Sequence, residues 1–195
     1  MIKSADTHHP ILHVISERWS PRSFSPLEPD KSVLMRLFEA ARWAPSSSNT
    51  QPWYFVVGTP ENPETHEKIL SSLNPNNARW AKNAPVLALA VMNALRINGK
   101  PNRWAPYDLG QAVANLAVQA TAEGLYVHQM AGFNRQTAAA LFHFPEGYEA
   151  MTAIAIGYLG RAEALEDDLY QKEVAPRDRK ELTDFVFTGD WGNPF

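Results

Sequence analysis

Ala44-Pro45-Ser46-Ser47-Ser48-Asn49-Thr50-Gln51-Pro52-Trp53 is the stretch from which the rest of the chain can be read. Before it, Val33, Leu34, Leu37, Phe38 and Ala41 recur at the spacing of one helix face, and Asp30 is placed to cap that helix, which runs to Trp43. After it, Trp53-Tyr54-Phe55-Val56-Val57 is aromatic and β-branched and predicts a strand. Pro45 stops the helix, because the residue before a proline is driven out of the helical region. Hydroxyls and amides then supply donors and acceptors on a short, stiff loop, with Trp53 closing its far side. Such a loop suits a polar, planar ligand. Ser, Asn and Pro also favour turns, so an ordinary helix-to-strand connection has the same composition.

Working outward, the spacing predicts a short first helix at Ile11, Leu12, Val14 and Ile15, leading to Arg18. On the other side come a helical piece from Glu64 to Leu73 and a polar stretch to Asn83. Pro85 to Met92 is a continuous apolar run of strand length, as a strand covered on both faces requires. The longest helix is expected from Asp108 to Gly124, with Leu109, Val113, Leu116, Ala117 and Ala120 on one face. Asp108 suits its positive N-terminal end and Gly124 its C′ position. A strand from Leu125 to Gln129, a brief helix from Thr137 to Phe142 and an apolar strand from Thr152 to Leu159 follow. Arg161 to Phe195 is charged until Phe185-Val186-Phe187, which reads as a last strand. Strands separated by helices, without regular βαβ repeats, predict an α+β domain spanning residues 1–195, with no linker or internal repeat to divide it.

Composition excludes several functions. A net charge of −3 gives no general attraction to nucleic acid or anionic membrane. With no cysteine there is no thiol nucleophile, disulfide framework or zinc–thiolate site. No run approaches the length of a membrane span, and no secretory pattern opens the chain, so a cytoplasmic setting is expected. G-x-G-x-x-G, G-K-[ST], G-x-S-x-G and H-E-x-x-H are all missing, so dinucleotide-fold, P-loop, hydrolase and metalloprotease readings have no motif. His8, His9 and His13 read as surface residues.

Pro45 to Trp53 resembles the P-S-S-x-N-x-Q-P-W signature of the FMN-dependent nitroreductase family. Arg18-Trp19-Ser20-Pro21-Arg22 resembles that family's amino-terminal R-x-S-x-R element, and Met130-Ala131-Gly132-Phe133 its G-F turn beside the flavin. Gly157-Tyr158-Leu159-Gly160 is similar to the end of its last core strand, and Arg177-Asp178-Arg179-Lys180 to its late basic cluster. These matches fall in family order along almost the whole chain.

The resemblance implies a mixed or antiparallel sheet flanked by helices, and a homodimer whose two-fold axis meets the Asp108–Gly124 helix. It also implies a carboxy-terminal strand exchanged with the partner. The implied cofactor is FMN, alternately reduced by NADH or NADPH and oxidised at flavin N5 by an electron-poor small molecule such as a nitroaromatic, quinone or activated alkene. No side chain is obligate for the chemistry, which is the cofactor's. Arg18, Arg177 and Arg179 are implied at the phosphate, where guanidinium forks match the oxygens. Ser20 is implied at the ribityl chain or ring edge and Asn49 at the ribityl chain or pyrimidine edge, with Trp19, Pro45 and Gln51 also implied as cofactor-binding. Arg22 is implied at the pyrimidine end, where a cation favours the reduced, negatively charged ring. Ser46 and Ser47 would come from the partner. Ala131 and Gly132 would approach flavin N5 and O4 through main-chain N–H groups, with Met130 also implied as cofactor-binding; Ala131 stands where many relatives carry Glu. Trp104, Tyr107 and Phe133 are candidates for an apolar wall, His128 for the flavin pocket or a buried backbone bond, and His66 or Lys68 for a second basic contact. Alternatives are a flavin-storage protein, or the same scaffold used for dehydrogenation, dehalogenation or flavin breakdown.

Overall fold

Alternation along one strand organises the molecule. In a computed structural model describing residues 3–195, Val86–Asn93 (β2) sends successive side chains to opposite faces of a sheet. Val86, Ala88, Ala90 and Met92 enter one apolar cluster, and Leu87, Leu89 and Val91 enter another. Both faces are covered, so the run is apolar without a break. Trp53–Gly58 (β1), Tyr126–Met130 (β3) and Tyr148–Gly157 (β4) complete an antiparallel sheet in the order β1-β2-β4-β3.

Lys31–Arg42 (α2, after a short His13–Glu17 helix, α1) packs against the 18-residue helix Ala105–Ala122 on the first face. Leu34, Leu37 and Ala41 meet Leu109, Val113 and Leu116, and each fully buried leucine contributes about 1.5–3 kcal/mol. The long helix starts three residues before the predicted Asp108, because Pro106 in its first turn lacks an N–H that would have no partner there. It ends where Gly124 turns left-handed (φ 73°), allowing Leu125 N–H to reach the Ala120 carbonyl. Asp30 does occupy the cap position of α2, but its side chain makes no capping hydrogen bond.

The second face is covered by Pro63–Ser72 (α3) and Pro75–Ala81 (α4), whose Ile69, Trp80 and Ala81 are buried. The helix α4 lies within the stretch expected to be merely polar. Its start is nevertheless written in Asn74-Pro75, a capping amide that accepts from Asn77 N–H followed by proline in the first turn. With the 105–122 helix counted as α5, Arg135–Leu141 is α6 and Asp167–Val174 is α7, the latter inside the segment read as simply charged.

The carboxy-terminal run forms no strand in its own sheet. Phe185-Val186-Phe187 adds no strand to the sheet; Phe187 makes an isolated bridge to Pro194 after a short 3₁₀ turn at Leu182–Asp184. Phe185 is 56% exposed and Trp191 93%, so these strand-forming residues pair with neither edge strand of their own sheet. No helix among the described residues is long and apolar enough to cross a membrane.

Candidate flavin site

The segment 18–25 runs along β3 and the end of β4. Trp19 packs edge-on against Tyr126, His128 bonds the Pro21 carbonyl, and Phe24 bridges Leu159. Because a carbonyl only accepts, His128 Nδ1 carries the proton in this 2.8 Å bond. Burial, reinforced by the nearby Arg22 charge, holds the His128 pKa down to about 4, so the imidazole is neutral near pH 7. His128 therefore takes the second of its two predicted roles, pinning the amino-terminal element to the sheet.

Glu173 of α7 is a second pin that sequence reasoning missed. Only 3% exposed, it accepts from the Arg22 and Ser23 N–H groups at 2.9–3.1 Å, and its Oε2 lies 4.0 Å from the Arg22 guanidinium. Arg22 is thus partly neutralised within the chain. A glutamate in a charged run gives no sequence signal for such a contact, which spans 151 residues.

Arg18, Arg177 and Arg179 do converge. With Lys180, His8 and His9 they line a cavity of about 770 Å³. Burial and then the charges of Arg177 and Arg179 press the Arg18 pKa down, as expected for cations gathered where an anion would offset them. Arg18 Nη1 reaches Ser20 Oγ at 3.5 Å. Arg177 Nη1 is committed to the Lys3 and Ser16 carbonyls (2.7 and 2.6 Å), so Arg177 ties three chain segments besides facing the cavity. Lys180, the last residue of the late basic cluster, lines the same cavity. Trp19 is buried rather than open to a ligand, and its Nε1–H has no acceptor within hydrogen-bonding geometry.

Past β3, Ala131, Gly132 and Phe133 line a second cavity of about 540 Å³ with Ser72, Leu73 and Asn74, while Met130 is buried beneath it. The Gly132 carbonyl accepts from Asn74 N–H and Asn77 Nδ2, both at 3.0 Å. A Cβ on Gly132 would collide with the side-chain amides of Asn74 and Asn77, the latter at 2.7 Å. Neither Ala131 nor Gly132 donates its N–H to another group among the described residues. Two free main-chain donors and a steric demand for glycine suit close approach of a planar ligand.

The 45–51 loop lies elsewhere. It precedes β1 at the opposite edge of the sheet, three strand spacings from β3, about 14 Å. Pro45, Ser48, Asn49, Thr50 and Gln51 are exposed, Ser46 and Ser47 half-buried, and none lines either cavity. Exposed Trp104 and Tyr107 belong to this edge, since they flank the start of α5; only Phe133 reaches the second cavity. Neither His66 nor Lys68 serves as a free basic contact. His66 Nε2 bonds the Ala84 carbonyl at 2.9 Å, and Lys68 pairs with Glu64 at 2.7 Å.

The chain matches the nitroreductase family over residues 15–158. A solved structure described as an oxidoreductase containing FMN is 33% identical, covers 96% of both chains and superposes with a TM-score of 0.90. A curated Mycolicibacterium smegmatis protein, described only as an uncharacterized 15.4 kDa protein, is 38% identical over 92 residues, 47% of this chain; the match spans 62% of that relative's length. A Methanothermobacter thermautotrophicus protein, provisionally named NADH dehydrogenase/NAD(P)H nitroreductase, is 28% identical over 76% of each chain. By sequence and by fold, this chain belongs to the nitroreductase family.

Proposed function

We propose that the chain is a single FMN-binding domain over residues 1–195 and works as a cytoplasmic homodimer. In this reading it is an NAD(P)H oxidoreductase that reduces electron-poor acceptors such as nitroaromatics, quinones and activated alkenes. The observation that carries this is the convergence of Arg18, Arg177 and Arg179 on one cavity, on the sheet edge that also bears the glycine turn. The FMN-containing relative and the NAD(P)H name of the archaeal one favour the same cofactor and reductant.

The chain's own groups have separable tasks. Arg18 and Arg179 hold the phosphate dianion, with Lys180 adding charge and Arg177 also fixing the cavity wall. Ser20 lies beside Arg18, where its hydroxyl would bond the ribityl chain. Ala131 and Gly132 offer N–H donors to the ring edge, which fixes orientation without an acid or base. Arg22, held by Glu173, sets the electrostatics at the pyrimidine end. Bound there, FMN supplies the two-electron chemistry at N5. Ser46, Ser47, Asn49 and Gln51 serve the flavin of the other protomer, since their own lies across the sheet. Exposed Phe185, Val186 and Trp191 give the tail an apolar surface to exchange with that partner.

Anaerobic stopped-flow mixing with NADH and NADPH tests the reading. Rapid bleaching of the FMN-loaded protein is expected, followed by reoxidation on adding a quinone or nitroaromatic. Full FMN occupancy without bleaching by either nicotinamide would make it a flavin-binding protein instead.

A further inference from the structure

The 46–51 loop holds an uncommon backbone. Ser48, Asn49 and Gln51 all have positive φ, at 53°, 53° and 46°. This left-handed region is costly for residues with a Cβ, least so for Asn, and persists only where surrounding contacts over-determine it. Most of the loop's own hydrogen bonds are internal. Asn49 N–H donates to the Ser46 carbonyl, Thr50 N–H to the Ser47 carbonyl, Gln51 N–H to Ser46 Oγ and Gln51 Nε2 to the Asn49 carbonyl, at 3.0–3.2 Å. These bonds shape the loop but do not say where it sits.

Among the described residues, one hydrogen bond leaves it: Ser47 N–H donates to Asp108 Oδ2 at 3.1 Å. Asp108 is 2% exposed and stands in the first turn of α5, where the helix's positive end favours a carboxylate. A buried carboxylate accepting from a main-chain N–H is a short, directional tie. Asp108 was expected only to complement the helix end; its side chain instead reaches a loop 61 residues away.

The geometry points to Asp108 as the positioning residue of the flavin-facing loop: by holding Ser47 to the start of α5, it sets where the strained 46–51 segment is presented. This rests on the proposed reading only for the identity of what the loop faces. The tie itself is a property of the chain alone.

Hydrogen exchange and FMN titration of Asp108→Ala and Asp108→Asn test it. In Asp108→Ala, amides 47–51 should exchange about tenfold faster, the scale of one charge-assisted hydrogen bond, while α5 and β1 keep their protection. The FMN dissociation constant should rise by a similar factor. Asp108→Asn keeps an acceptor and should restore both to near wild type. Should Asp108→Ala not fold, Asp108→Leu fills the space without an acceptor and carries the same expectation. Unchanged loop exchange, an equal rise throughout α5 and β1, or no rescue by Asn would each overturn the role. So would folding by Asn alone, with both apolar variants unfolded, since Asp108 would then be a core-stability residue. If the loop responds as expected but wild type binds no FMN, the positioning role stands and the cofactor assignment fails.

Discussion

The two edges of the sheet are built in opposite ways. Along β3, the amino-terminal element is bonded to the body of the protein by His128, Glu173 and Trp19 packing, and the glycine turn is buttressed by two asparagines. Along β1, a loop rich in polar side chains stands exposed in a strained conformation, fixed by one outward hydrogen bond and flanked by exposed aromatic rings. In the proposed reading the first edge is one half of a flavin site, and the second is the half offered to the partner's flavin. A protomer that divides its polar groups this way has a reason to pair, since a two-fold axis can bring one edge against the other.

The largest effect expected at the β3 edge is on stability. The His128 imidazole is neutral in the folded chain, with its pKa held at about 4, whereas the unfolded chain titrates near the ordinary 6.5. Between those values the unfolded chain takes up the proton first. Stability is therefore retained above pH ~6.5 and lost as pH falls towards 4, by up to about 3 kcal/mol. His128→Asn keeps a donor for Pro21 and removes the titration, so its denaturation midpoint should be flatter over that range. Parallel pH dependence in the two proteins would mean that other groups set acid stability and that His128 is not the pin.

A smaller effect is expected at Arg22. In the proposed reading its charge favours the reduced flavin, and Glu173 Oε2 at 4.0 Å offsets part of it. Arg22→Ala should lower the two-electron potential by at most about 30 mV, equivalent to ~1.4 kcal/mol. Arg18→Ala should weaken oxidised and reduced FMN alike and leave the potential in place. Potentiometric titration of both separates the roles, and equal potentials in wild type and Arg22→Ala would return Arg22 to the task of holding Glu173.

Much of the fold was legible because it lies in local pattern. The apolar run at 86–92, the periodic face of α5 and the proline-bounded 45–52 loop each announce an element within a few residues. The helix α4 was legible too, in Asn74-Pro75, but its polar surface masks a face that buries Trp80. The carboxy-terminal segment misleads because Phe185-Val186-Phe187 has strand-forming residues but joins neither edge of its own sheet, and side-chain type does not say which edge a strand pairs with. At the site, cation type and family order identify Arg18, Arg177 and Arg179. The buried carboxylates Glu173 and Asp108 bond groups 151 and 61 residues away and leave no local trace. Nor does sequence reveal that Arg177 spends part of its guanidinium on backbone carbonyls.

In the proposed reading each flavin site takes its β3 edge from one protomer and its β1 loop from the other. Mixed dimers test this most directly. One variant carries Arg18→Ala, the other Ser46→Ala with Asn49→Ala, and each alone should bind FMN poorly. In a mixed dimer, the site that joins the unaltered β3 edge to the unaltered loop is native. Random reassociation of equal amounts should therefore restore high-affinity FMN binding in about one quarter of all sites. If one protomer supplied both edges of its own site, every site would carry a defect. Mixing would then restore none.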